Sequence, residues 1–196
     1  MQGMLKIARL IDALNERIGR GVYWLVLAMV LLSAGNAIVR KLFSISSNAY
    51  LEAQWYLFSA VFLLCAAYTL LKNEHVRIDI IAGRLSPKAQ AWIDILGTLF
   101  FLLPMATLIM WLSWPYFLRG YTEHEISGSA GGLILWPARL LLPVGFALLV
   151  LQGLSELVKR IAFVAGKGPD PIVRHEPAEA ERALAEEIRK MAEDKA

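Results

Sequence analysis

Four stretches of almost unbroken apolar residues, at about 22–43, 49–71, 91–114 and 133–161, alternate with short polar segments. Each reaches the ~20 residues that an α-helix needs to cross the ~30 Å hydrocarbon core of a bilayer. Ahead of the first stretch, Ile7, Ile11, Leu14 and Ile18 recur at helical spacing. Most of the neighbouring charges fall elsewhere on the wheel, so residues 1–21 predict a one-faced helix lying in the membrane interface. Pro104 and Pro143 fall inside the third and fourth stretches and predict kinks there. After the fourth stretch, Gly166, Gly168, Pro169, Asp170 and Pro171 make a linker. Residues 162–196 then read as that linker followed by a short charged helix from Ala178.

Positive charge sets the expected orientation. Every one of the 20 Lys and Arg except Arg40, Lys41, Arg119 and Arg139 lies in the amino-terminal segment, the loop at 72–88 or the tail. The positive-inside rule therefore places both termini and the middle loop in the cytoplasm. An even number of spans makes the same demand independently. The predicted fold class is an all-α integral membrane protein with four transmembrane helices, of the kind found in a bacterial inner membrane. A cleavable signal peptide fits poorly. The first apolar run exceeds an ordinary signal core, and its removal would set span parity against the charge distribution.

Composition agrees, since 57% hydrophobic residues is too apolar for an ordinary soluble domain. The net charge of +3 follows from topology, and no nucleic-acid partner is expected. Cys65 is the single cysteine, which excludes an intrachain disulfide. Tyr23, Trp24, Tyr50, Trp55, Tyr56, Trp92, Trp111, Trp114 and Trp136 cluster near span ends. Amphipathic rings favour the headgroup level, so membrane lipids are expected partners of these side chains.

Ionisable groups in or near the spans are the candidate functional residues, because burying one costs ~2.5–3.5 kcal/mol on the insertion scale. Glu52 lies at a depth similar to Arg40 and Arg139, which predicts an ion pair with one of them or a carboxylate reaching headgroup water. Asp94 enters the third span near Arg84 and Lys88, which suggests a matching contact at the inner side. Asn36 is the main polar exception inside span one and predicts an interhelical hydrogen bond. Glu123-His124-Glu125 has metal-ligand residue types, but adjacent side chains diverge and no second His is near. No His lies inside a span, which disfavours a haem-anchoring subunit. No nucleophile elbow, phosphate loop or zinc-protease motif is present, so no catalytic residue, metal or cofactor is expected.

After the second stretch the chain reads Asn73-Glu74-His75-Val76-Arg77-Ile78-Asp79, then Gly83-Arg84-Leu85-Ser86-Pro87. Before it stands Leu51-Glu52-Ala53-Gln54-Trp55-Tyr56, and later come Glu125-Ile126-Ser127, Trp136-Pro137-Ala138-Arg139 and Leu151-Gln152-Gly153-Leu154. Together with four spans, this set resembles the small membrane subunit, of DctQ type, of tripartite ATP-independent periplasmic (TRAP) transporters, over about residues 21–160. The resemblance implies two partners: a large multi-span permease subunit that translocates an organic acid with sodium ions, and a periplasmic binding protein that delivers it. Sodium would bind the large subunit, not this chain. It also implies that His75, Arg77 and Asp79 organise the inner loop, and that Glu125, Ser127 and Arg139 shape the outer surface. Glu52, Trp55 and Asp94 complete the set of candidate structural or interface residues. A free-standing structural tetraspan is the competing expectation.

Overall fold

A computed structural model describes residues 2–44, 47–73 and 85–168. They form five α-helices: α1 Gln2–Phe43, α2 Asn48–Lys72, α3 Pro87–Gly97, α4 Leu103–Thr122 and α5 Trp136–Val164. A single π-helical turn, Thr98–Leu102, joins α3 to α4. Four units are long and apolar enough to cross a membrane: α1, α2, the composite Pro87–Thr122 and α5. Among the described residues there is no strand, only an isolated antiparallel bridge between Ile126 and Ile134.

The helix ends have local causes. Ser47 caps α2 by accepting from the Ala49 amide at 3.3 Å. Asn73 closes α2 in the left-handed conformation, φ 56°, where its own amide donates to the Leu70 carbonyl. Ser86 caps α3 with Pro87 just inside, where a missing N–H costs nothing. The expected distortion at Pro104 takes the form of the π turn just before it. Proline cannot donate to the Phe100 carbonyl, and the wider turn, closed by the Leu103 amide on Thr98, makes room for the ring. Pro143 lies within α5, which continues past it.

α5 is the hub. It packs against α1, α2, α3 and α4, with α1 and α2 paired as an antiparallel hairpin on one side and α3–α4 on the other. Of its most apolar window 44% is buried, against 6% for α1 and 11% for α2 and for the α3–α4 unit. The remaining helices therefore offer much of their apolar surface outward. Phe101, Trp111, Trp24 and Trp55 are each more than two-thirds exposed. Gly145 allows the closest approach of α2, since a Cβ there would lie 2.8 Å from Leu63 Cβ and 2.9 Å from the Leu63 carbonyl oxygen. Gly19 likewise receives the Tyr68 ring on α1.

The amino-terminal segment is continuous with the first apolar stretch in one 42-residue helix. Its inward face is Ala8, Asn15, Gly19 and Val22, with half-buried Asp12 between them. Ile7 and Leu14, from the apolar stripe, point outward. The packed face is thus small and polar, the arrangement that helices use when lipid offers apolar side chains no penalty.

Candidate functional site: polar clamps at both ends of α5

The first clamp joins the start of α1 to the end of α5. Asn15 Nδ2 donates to Gln152 Oε1 at 2.7 Å, and Gln152 Nε2 donates to Asp12 Oδ1 at 2.9 Å and Glu156 Oε1 at 3.1 Å. The Ser155 hydroxyl donates to Asp12 Oδ1 at 2.8 Å. Lys159 Nζ reaches Asp12 Oδ2 at 3.1 Å and Glu156 Oε1 at 2.5 Å. Arg160 donates to Asp94 on α3 and lies 3.8 Å from Glu156 Oε2. Gln152 and Ser155 are almost wholly buried, and Glu156 and Arg160 retain only 5% and 4% exposure. Charges this deep persist only when paired and hydrogen-bonded, which the network provides.

The second clamp holds the segment between α4 and α5. Asn48, Glu52 and Tyr56 stand four residues apart on one face of α2, and all three grip it. Asn48 Nδ2 donates to the Ala130 carbonyl at 3.2 Å, and Tyr56 Oη donates to the Ile134 carbonyl at 3.1 Å. Glu52 accepts from the Leu133 amide at 2.7 Å and from the Ser127 hydroxyl. The segment folds on itself, with Ser127 N donating to Leu133 O at 2.9 Å and Leu135 N to Glu125 O at 3.0 Å. Arg139 of α5 donates to Glu125 and lies 4.2 Å from the centre of the Tyr116 ring, a cation–π distance. Gly120 makes room for it, because a Cβ there would come within 2.6 Å of Arg139 Nη1. The Arg139 hydrogen bond holds the Glu125 carboxyl below its ordinary 4.5, with Arg119 adding a weaker pull. An aromatic ladder, Trp114–Phe117–Tyr121–Trp136, closes the same end with ring centres 5.6–6.0 Å apart.

These contacts revise several expected partners. Glu52 pairs with neither Arg139 nor Arg40; it satisfies a hydroxyl and a backbone amide whose positions depend on a loop conformation. Asp94 meets Arg160, 66 residues along the chain, a partner that was not expected. Glu123 bonds Arg119, and Glu125, bonded to Arg139, also lies 3.7 Å from Arg119, so the carboxylates flanking His124 share a guanidinium and do not diverge as expected. Trp55 stands 71% exposed on α2. His75, Arg77, Asp79 and Arg84 lie outside the described residues, as does the tail from Pro169. The first clamp was missed as a unit, although the 3- and 4-residue spacing of Ala8, Asp12, Asn15, Gly19 and Val22 is a readable signal. Gln152, Ser155 and Glu156, with the same spacing, are its complement.

Between the clamps, residues 140–151 of α5 carry no ionisable side chain. The ionisable groups of α5 are confined to its two ends, and apolar packing at Gly145 holds the middle.

Four membrane-length helices fastened at both ends of a central one define a polytopic helical membrane protein. The family described as "Tripartite ATP-independent periplasmic transporters, DctQ component" matches residues 29–163, well over half of the chain. The chain belongs to the DctQ family, the small permease component of TRAP transporters, which is a transporter family and not an enzyme family. No match was found among curated proteins or solved structures.

Proposed function

We propose that this chain is the brace of a sodium-coupled TRAP transporter, a fixed subunit against which the large permease subunit works as it imports an organic acid. A periplasmic binding protein delivers the acid, and the sodium sites belong to the large subunit. The protein sits in the bacterial inner membrane with both termini cytoplasmic, as the Lys and Arg distribution favours. The first clamp then lies at the cytoplasmic face and the second at the periplasmic face, where the binding protein docks.

The observation that carries the reading is the double fastening of α5. A moving transport element needs a hinge or sliding surface and a polar path. Here each end of the hub is tied by hydrogen bonds and ion pairs, while the centre of α5 is apolar. Such a helix suits a stator.

The test is an affinity pull-down of the tagged full chain from native membranes in mild detergent, joined to uptake measurements in cells lacking it. Near-equimolar recovery of a large polytopic subunit, with loss of sodium-dependent organic acid uptake in the deletion strain, is the expected result. Recovery of the chain alone, with uptake unaffected, would replace the brace with a free-standing tetraspan.

A further inference from the structure

The outward surfaces are not chemically equal, and the difference points to one docking face. On the α4/α5 side a groove of about 460 Å³ is lined by Met110, Trp111, Pro115, Pro143 and Val144 among others. Apart from the Trp111 and Trp114 indoles, its side chains offer nothing that hydrogen-bonds well, which matches lipid chains. On the α1/α2 side a groove of about 510 Å³ is lined by Met29, Val30, Ser33, Gln54, Trp55 and Phe58. Phe58 and Phe62 extend it as a ridge, 57% and 69% exposed with stacked rings 6.5 Å apart.

Polar side chains mark this second face. Gln54 and Asn36 are half-buried, and neither carboxamide makes a hydrogen bond among the described residues; nor does the exposed Ser33 hydroxyl. Gln152 of α5, by contrast, has 0% exposure and uses both ends of its amide. Asn36 precedes the end of α1 and Gln54 follows the start of α2 by similar distances, so both lie about 10 Å in from their helix ends. An acyl chain supplies no donor or acceptor at that depth. A transmembrane helix with a polar side chain supplies both.

We infer that the α1/α2 face, centred on Ser33, Asn36, Gln54 and Phe58, seats a transmembrane helix of the large permease subunit and hydrogen-bonds to it in the outer half of the membrane. The inference rests on the brace reading, and it names the surface through which the brace acts.

The test coexpresses the full chain with the large subunit of its transporter and installs p-benzoylphenylalanine in place of Phe58 or, separately, Trp111. Irradiation of native membranes should join the Phe58 probe to the large subunit and leave the Trp111 probe without a protein adduct. Ser33→Trp, which fills the groove, should lower copurified large subunit about tenfold at unchanged membrane level of the chain. The double variant Asn36→Leu/Gln54→Leu should lower it about fivefold. A Phe58 adduct with a second copy of this chain, an adduct from Trp111 alone, or only lipid adducts at Phe58 would overturn the assignment. In each of those cases intact copurification of the unsubstituted chain would keep the brace. Absence of copurification even there would remove both.

Discussion

Replacing Arg160 is the sharpest test of the first clamp. Its side chain retains 5% exposure, donates to Asp94 and lies 3.8 Å from Glu156. Arg160→Ala removes the cation that Asp94 and Glu156 share and leaves Lys159 on Asp12 and Glu156. Removing one partner of a buried pair costs ~3–5 kcal/mol, because the other charge stays desolvated. Glu156 keeps Lys159 at 2.5 Å and Gln152 at 3.1 Å, so the loss should sit at the low end, about 3 kcal/mol. Asp94→Leu with Arg160→Met removes both charges and leaves the balance among the rest unchanged. Such apolar replacement of a buried pair is often close to neutral, so the double variant should recover most of the loss. The assay is reversible SDS unfolding of the purified chain in mixed micelles, followed by helicity and tryptophan fluorescence. A loss below about 1 kcal/mol for Arg160→Ala, or a double variant as costly as its two singles together, would refute the reasoning.

Gly145→Ala should destabilise by about 1–3 kcal/mol in the same titration, since its new methyl meets Leu63 backbone that cannot yield. Gly35→Ala, where nothing lies within 4 Å, should be neutral or stabilising by up to about 1 kcal/mol. Glu52→Ala should speed amide exchange at Leu133 in nanodiscs more than at Ile161 near the far end of α5, because only the former amide donates to that carboxylate. Glu125, whose folded pKa lies below 4.5, adds stability that is present above the unfolded value and lost as pH falls through the folded one. Exchange in the 123–135 segment should therefore stay flat from pH 7 to 4.5 after correction for intrinsic rates and rise only below, a rise that Glu125→Gln reduces, the remainder coming from the Glu52 carboxylate that holds Ser127 and the Leu133 amide.

The helices were legible because hydropathy reports the hydrocarbon-crossing part of each one. Expected stretches at 49–71 and 133–161 became Asn48–Lys72 and Trp136–Val164. The first and third overran their stretches, since a helix continues through the headgroup region wherever caps and packing allow: α1 starts at Gln2, and Ser86 with Pro87 starts α3 four residues before its stretch. The kink site at Pro104 could be read, but not that a π turn would absorb it. Glu52, Asp94, Glu125 and Arg139 could be chosen from charge and depth alone. Their partners could not. Ser127 and the Leu133 amide reach Glu52 only after the 123–135 segment folds, and Asp94 meets Arg160 only because α3 lies antiparallel to α5. Ile7 and Leu14 of the apolar stripe lie off the packed face, because in lipid the packed face is the one with small and polar residues.

The hub is also the last of the described helices to be made. Chains emerge from the ribosome amino end first, at ~5–20 residues per second. For several seconds α1, α2 and α3–α4 are therefore in existence without the helix on which they converge. Asp12, Asn15 and Asp94 must wait in the headgroup layer until Gln152, Lys159 and Arg160 arrive. A chain that stops before α5 would hold an α1–α2 hairpin and an α3–α4 span without the helix that packs against both, an object for quality-control proteases. The keystone's place after the other three spans thus makes its own arrival the signal for their assembly.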